Sequence, residues 1–107
     1  MICNRKLIST MDRLGFAERM SGTEYIRTGV SMIDKDRSIS MTKELYPTLG
    51  RAAGKSAAAI ERSIRAATES ARQSPGWDSV WAEIGGTSRP TNAELLHRLA
   101  RESRHED

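Results

Sequence analysis

Three charged residues within five positions, Glu61, Arg62 and Arg65, carry the clearest chemistry in this 107-residue chain. A guanidinium fork presents paired N–H donors that match the O6 and N7 acceptors of guanine in a major groove, and a carboxylate can accept from the N4 amine of cytosine. Reaching those edges requires a helix that turns all three residues outward. At about 100° per residue, with Ile60 at the origin, Ile64, Ala57 and Ala67 fall within about 60° of it and form an apolar stripe. Arg62 falls at about 200° and Arg65 at about 140°, nearly opposite the stripe, while Glu61 borders the two faces at about 100°. Ala58 and Ala66 flank the arginines and are small enough to let the helix sit deep in a groove. The same pattern also describes a merely solubilising face, and spacing alone does not separate the two.

The elements that would position these residues read as a helix-turn-helix over about residues 47–72. Gly50 and Ala53 supply small side chains where a second helix crosses the first. Gly54 tolerates the positive φ of a tight turn. Six positions beyond it, Ile60 pins the second helix, Ser56 to Arg72, to the core. Between Thr48 and Arg72 stand five basic residues, Arg51, Lys55, Arg62, Arg65 and Arg72, against Glu61 and Glu69. That local net charge of +3 equals the charge of the whole chain, so the basicity is concentrated here. Arg51, Lys55 and Ser56 stand where they would meet phosphates. Arg89, beside Pro90, either touches phosphate or is an ordinary loop arginine.

The remaining segments also read as helices. Leu7, Ile8, Met11 and Leu14 recur at helical spacing and end at Gly15, with Phe16 packing back. Ser21 to Glu24 has the spacing of a capping box and opens a helix with Tyr25, Ile26, Gly29, Val30 and Ile33 on one face. Ser40 or Thr42 caps a third helix with Leu45 and Leu49 inward and Pro47 in or near its first turn. After the turn at Ser74-Pro75-Gly76, Trp77, Val80, Trp81 and Ile84 follow the pattern of a short buried helix. Residues 85–90 form a loop. Thr91 to Glu94 is a second capping box, opening a last helix with Leu95, Leu96 and Leu99 inward, and the charged tail from Arg101 frays. The expectation is one all-α domain spanning 1–107, a compact bundle of about six helices.

Composition narrows the function classes. Apolar residues make up 37% of the chain and charged residues 29%, enough for one core. The lone Cys3 forms no internal disulfide and, near a mobile terminus, reads as an incidental thiol; no Cys/His cluster suggests zinc, and no apolar run approaches a membrane span. The first residues lack a signal peptide's apolar stretch, so the expected setting is cytoplasmic. Trp77 and Trp81 read as core rather than as stacking platforms. His97 reads as a boundary residue, and neither it nor His105 has ligand partners at metal spacing. Arg98, Arg101 and Arg104, interleaved with Glu102 and Glu106, read as a solvated face. No catalytic constellation and no cofactor motif is recognisable, so the chain is not expected to be an enzyme.

At these residues the chain resembles the C-terminal DNA-binding effector domain of the stage-zero sporulation response regulators of endospore formers. The shared strings are Tyr25-Ile26-Arg27 with Ser31-Met32-Ile33, Thr42-Lys43 with Leu45-Tyr46-Pro47, Ile60-Glu61-Arg62-Ser63-Ile64-Arg65, and Arg89-Pro90-Thr91-Asn92. They run in order from about Leu7 to Arg104. The resemblance implies a six-helix domain whose helix-turn-helix reads a short promoter box, TGTCGAA, with Glu61, Arg62 and Arg65 contacting bases. It also implies a DNA-dependent head-to-tail pair on tandem boxes and contact with the polymerase sigma subunit through the region from Pro75 to the following loop.

The departures carry expectations of their own. Ala58 and Ala59 stand where the family has Ser-Arg, and Ala66 where it has histidine. Their loss removes phosphate contacts, so weaker binding with the same base preference is expected. The loop over residues 85–89 is shorter than the family's, which bears on activation. The family's phosphoacceptor receiver domain is not in the chain, which is then either an excised domain or a stand-alone relative. The competing reading is a helical protein-interaction module, or an antagonist of a full-length regulator, that keeps the fold without specific DNA binding.

Overall fold

The computed structural model describes residues 3–104; Met1, Ile2 and the C-terminal residues 105–107, His105 and Glu106 among them, lie outside it. Among the described residues there are six α-helices and no strand. They are α1 (Asn4–Leu14), α2 (Ser21–Lys35), α3 (Tyr46–Ala53), α4 (Ala57–Arg72), α5 (Trp77–Glu83) and α6 (Asn92–Arg104), with a π-helical turn over Met41–Leu45 leading into α3. The expected all-α bundle is what the chain forms. Helix α2 runs through the middle, packed on α4 and α6, while α1 packs on α5 and α6 and α3 packs on α4.

The core is built from the apolar stripes. Leu7, Met11 and Leu14 of α1, Ile26, Val30 and Ile33 of α2, Ile60, Ile64 and Ala67 of α4, and Leu95, Leu96 and Leu99 of α6 are all buried. Ile8 departs from its expected inward position and is 43% exposed, because Thr10 completes the inward row with Leu7, Met11 and Leu14. The α1 terminus closes as expected, with Gly15 at φ 103° and the Phe16 N–H donating to the Met11 carbonyl at 3.1 Å. Phe16 then meets Trp77 edge-on, and Trp77 stacks on Trp81 at 5.4 Å. Both tryptophans are buried, and the Trp81 indole N–H donates to the Ser88 carbonyl at 2.9 Å, so they belong to the core.

The two expected capping boxes have different fates. At α6 the box forms, with the Thr91 N–H donating to Glu94 Oε1 at 2.8 Å and the Glu94 N–H to Thr91 Oγ1 at 3.1 Å. At α2 it does not. Ser21 is already inside the helix, Met20 occupies the cap, and Thr23 Oγ1 donates back to the Ala17 carbonyl at 2.7 Å. The Glu24 carboxylate is taken instead by Arg27 at 2.7 Å. Ser40 caps the π-helical turn by accepting from the Lys43 N–H, while Glu44 accepts from the Ser40 N–H. Leu45 and Tyr46 donate five residues back, to the Ser40 and Met41 carbonyls, before α3 begins with Pro47 in its first turn.

The expected solvated row on α6 divides. Arg101 is exposed, but Arg104 reaches across to Asp34 of α2 and is half-buried. Cys3 is tied down as well, its N–H donating to the Ser103 carbonyl at 3.1 Å.

Candidate nucleic-acid interface

The turn between α3 and α4 is held by its backbone. Gly54 adopts φ 69°, and nothing lies within 4 Å of where its Cβ would be, so conformation rather than space selects glycine there. Gly50 is a matter of space: a Cβ would stand 2.5 Å from the Lys55 carbonyl oxygen. Ala53, expected beside it at the crossing, is exposed, and Gly50 alone makes the close approach. Ser56 caps α4, accepting from the Ala59 N–H at 3.1 Å, which leaves its hydroxyl proton free to donate outward.

Helix α4 presents the face that the spacing implies. Ile60, Ile64, Ala67, Thr68 and Ala71 are buried, and Ala58, Arg62, Arg65 and Ala66 are exposed. Its orientation is set from two sides. From behind, Gly22 of α2 lies so close that a Cβ would stand 2.0 Å from the Ser63 carbonyl oxygen. From the side, the Asn92 amide at the start of α6 donates at 3.2 Å to both the Tyr46 hydroxyl and the Glu61 carbonyl. One side chain thus ties α3, α4 and α6 together beside the charged face. Burial pushes the Tyr46 phenol above its ordinary pKa, so it stays protonated as the partner of Asn92.

The charged groups are not equally free. Arg62 has no partner among the described residues and fans outward. Arg65 Nη1 pairs with Glu61 Oε2 at 3.0 Å, one helical turn apart. The Glu61 carboxylate therefore holds Arg65 in the free protein, and only its second oxygen is unengaged by that pair. Lys55 is exposed in the turn, and Arg51 Nη2 donates to Thr48 Oγ1 at 3.3 Å. Ser56 thus stands at the positive end of the α4 dipole with Lys55 next to it in the chain, while Arg51 lies one turn earlier in α3. Arg89 lies instead beside the C-terminal half of α4, where it pairs with Glu69, which also holds Arg72 at 3.2 Å. The hydrogen bond from Arg89, more than any other influence, keeps the Glu69 carboxyl below its usual range.

Asn92, Tyr46 and Glu69 are the supporting residues that sequence reasoning missed. Asn92 lies 46 residues from Tyr46 and 31 from Glu61, and no local spacing links them. Replacing Asn92 by Ala should cost about 1 kcal/mol in urea denaturation, since two hydrogen bonds go and the partners are only partly buried. An unchanged midpoint would mean that the amide ties nothing together.

Exposed His97 lines a shallow groove with Trp81, Arg98 and Arg101. No group of three metal-ligating side chains occurs among the described residues, and no helix there is long and apolar enough to cross a membrane. The family model described as Sporulation initiation factor Spo0A C terminal matches residues 7–102, from the first buried leucine of α1 into the last turn of α6.

Proposed function

The chain belongs to the Sporulation initiation factor Spo0A C-terminal family, the DNA-binding effector domains of sporulation-initiation transcription regulators, and from that premise we propose that it reads a short promoter box with α4 in the major groove. The observation that carries the reading is the outward face of α4, where exposed Arg62 and Arg65 stand between exposed Ala58 and Ala66 on a helix braced from behind by α2 and from the side by α6. Arg62 and Arg65 read guanines, and Glu61 reads an adjacent cytosine with the oxygen that Arg65 leaves free. Arg51, Lys55 and Ser56 meet phosphates at the start of α4. Pairing on tandem boxes and contact with the polymerase sigma subunit follow from the family resemblance.

The test is a fluorescence-anisotropy titration of a duplex carrying TGTCGAA and of a scrambled duplex, at two salt concentrations. Specific binders hold their site roughly a thousandfold or more above other DNA, and a single small domain less. A clear preference for the box supports the proposal. Equal, salt-sensitive binding to both duplexes overturns it in favour of an interaction module that has kept the fold.

The phosphate contacts have a separate signature. Lys55→Ala should weaken box and scrambled duplexes alike and lower the slope of log K against log salt by about 1, because one fewer counterion is released. A loss confined to the box would assign Lys55 to base reading instead.

A further inference from the structure

Four residues beyond Arg65, one turn further along the same helix, Glu69 does something that no base-reading role requires. Its carboxylate takes the Arg89 guanidinium, delivered from the loop before α6, and at 3.2 and 3.4 Å it also holds Nη1 of Arg72. Arg89 is 62% exposed and Glu69 40%, so the pair lies open to solvent beside the DNA-facing side of α4. Two guanidiniums that could each neutralise a phosphate are thus presented with one full negative charge between them. We infer that Glu69 is a specificity-determining residue: it withholds Arg89 from the DNA backbone and so suppresses sequence-independent binding. The inference rests on α4 facing DNA as proposed above.

The physical case is a difference between two kinds of contact. Phosphate contacts add affinity for every sequence equally, so each cation freed near the backbone raises non-specific binding without improving the choice of site. A carboxylate in the same place engages one such cation and lowers the local positive charge by one, an effect felt by phosphates within about a Debye length, near 10 Å at ordinary salt. Base contacts by Arg62 and Arg65 are untouched by it. The arrangement therefore lowers the scrambled-sequence background relative to the box, a discrimination obtained by penalising the wrong partner.

Glu69→Gln keeps the shape of the side chain and removes its charge, and Arg89→Gln removes the guanidinium. Titrated against the scrambled duplex, Glu69→Gln should bind about five- to tenfold tighter at 0.1 M salt, with a salt slope steeper by about 1–2. Its ratio of box to scrambled affinity should fall. Adding Arg89→Gln to it should return the scrambled affinity and the slope most of the way to wild type, whereas Arg89→Gln alone should change little. A role confined to pinning the loop would lower the melting temperature and leave the slope alone. An unchanged slope in Glu69→Gln, or a steeper one that Arg89→Gln does not reverse, overturns the inference. If the wild-type chain itself shows no preference for the box, the functional proposal fails, while the slope on scrambled DNA still decides whether Glu69 masks Arg89.

Discussion

Replacing Arg62 by Ala should cost about 1–3 kcal/mol of binding to the box, roughly a 5- to 150-fold loss, and should flatten discrimination at one base pair while scrambled DNA is bound nearly as before. Of the three proposed base readers, Arg62 gives the cleanest experiment because it enters the complex unencumbered. It is exposed and has no partner among the described residues, so its removal breaks no intramolecular bond. Stability should stay within about 0.5 kcal/mol of wild type, as for an ordinary surface change. Arg65→Ala is less easily read, since it also releases the Glu61 carboxylate from its 3.0 Å ion pair and leaves a free negative charge facing DNA. The measurement is a set of single-base variants of the box titrated against both proteins. Equal weakening on all of them, with a shallower salt slope, would make Arg62 a phosphate contact and move the base reading elsewhere on α4.

The contrast between these arginines shows where a linear sequence stops being informative. The face of α4 was legible because its cause is local. Ile60, Ile64 and Ala67 repeat with the helical period, and Arg62, Arg65 and Ala66 necessarily lie away from them. Gly54 was legible because a positive φ selects one residue type. Ser21 to Glu24 and Thr91 to Glu94 have the same capping spacing, yet only the second forms a box. The difference is tertiary, since Thr23 bonds back to Ala17 and Gly22 must lie inside α2 to reach Ser63. Ala53 was misjudged for a related reason. A small residue near a turn suits a helix crossing, but the crossing falls on Gly50 and leaves Ala53 in solvent. Arg89 was read as a phosphate contact or an ordinary loop arginine, and neither reading included its pairing with Glu69, twenty residues away. Charge pairs between distant segments have no signature in periodicity, and such pairs determine which cations on this surface remain available.

The tertiary contact with the largest predicted consequence for the fold is also the smallest in atoms. Gly22→Ala adds one methyl group and should destabilise the domain by about 1–3 kcal/mol, with Tm falling by at least about 4 °C. An alanine is ordinarily the better helix former, so on propensity alone the change should be favourable. Space reverses the sign. The new Cβ would stand 2.0 Å from the Ser63 carbonyl oxygen, 2.7 Å from the Ser63 carbonyl carbon and 2.9 Å from the Ala67 Cβ. Two of those three atoms are backbone of α4, so no rotamer change removes the clash, and the helices must part by roughly 1 Å to restore normal separation. Ser63 immediately follows Arg62, so the displacement acts on the helix that carries the arginines. Box affinity per folded molecule should fall with it, although Gly22 itself lies behind the proposed interface. Ala67→Gly in the Gly22→Ala background should recover only part of the loss, because it clears the 2.9 Å contact and leaves the backbone one. A thermal melt of Gly22→Ala that matches wild type would mean that α2 and α4 leave room for a methyl group between their backbones at Gly22. Full rescue by Ala67→Gly would place the obstacle in the side chain, and α4 would then be held by packing around Ala67 rather than by the approach of two backbones.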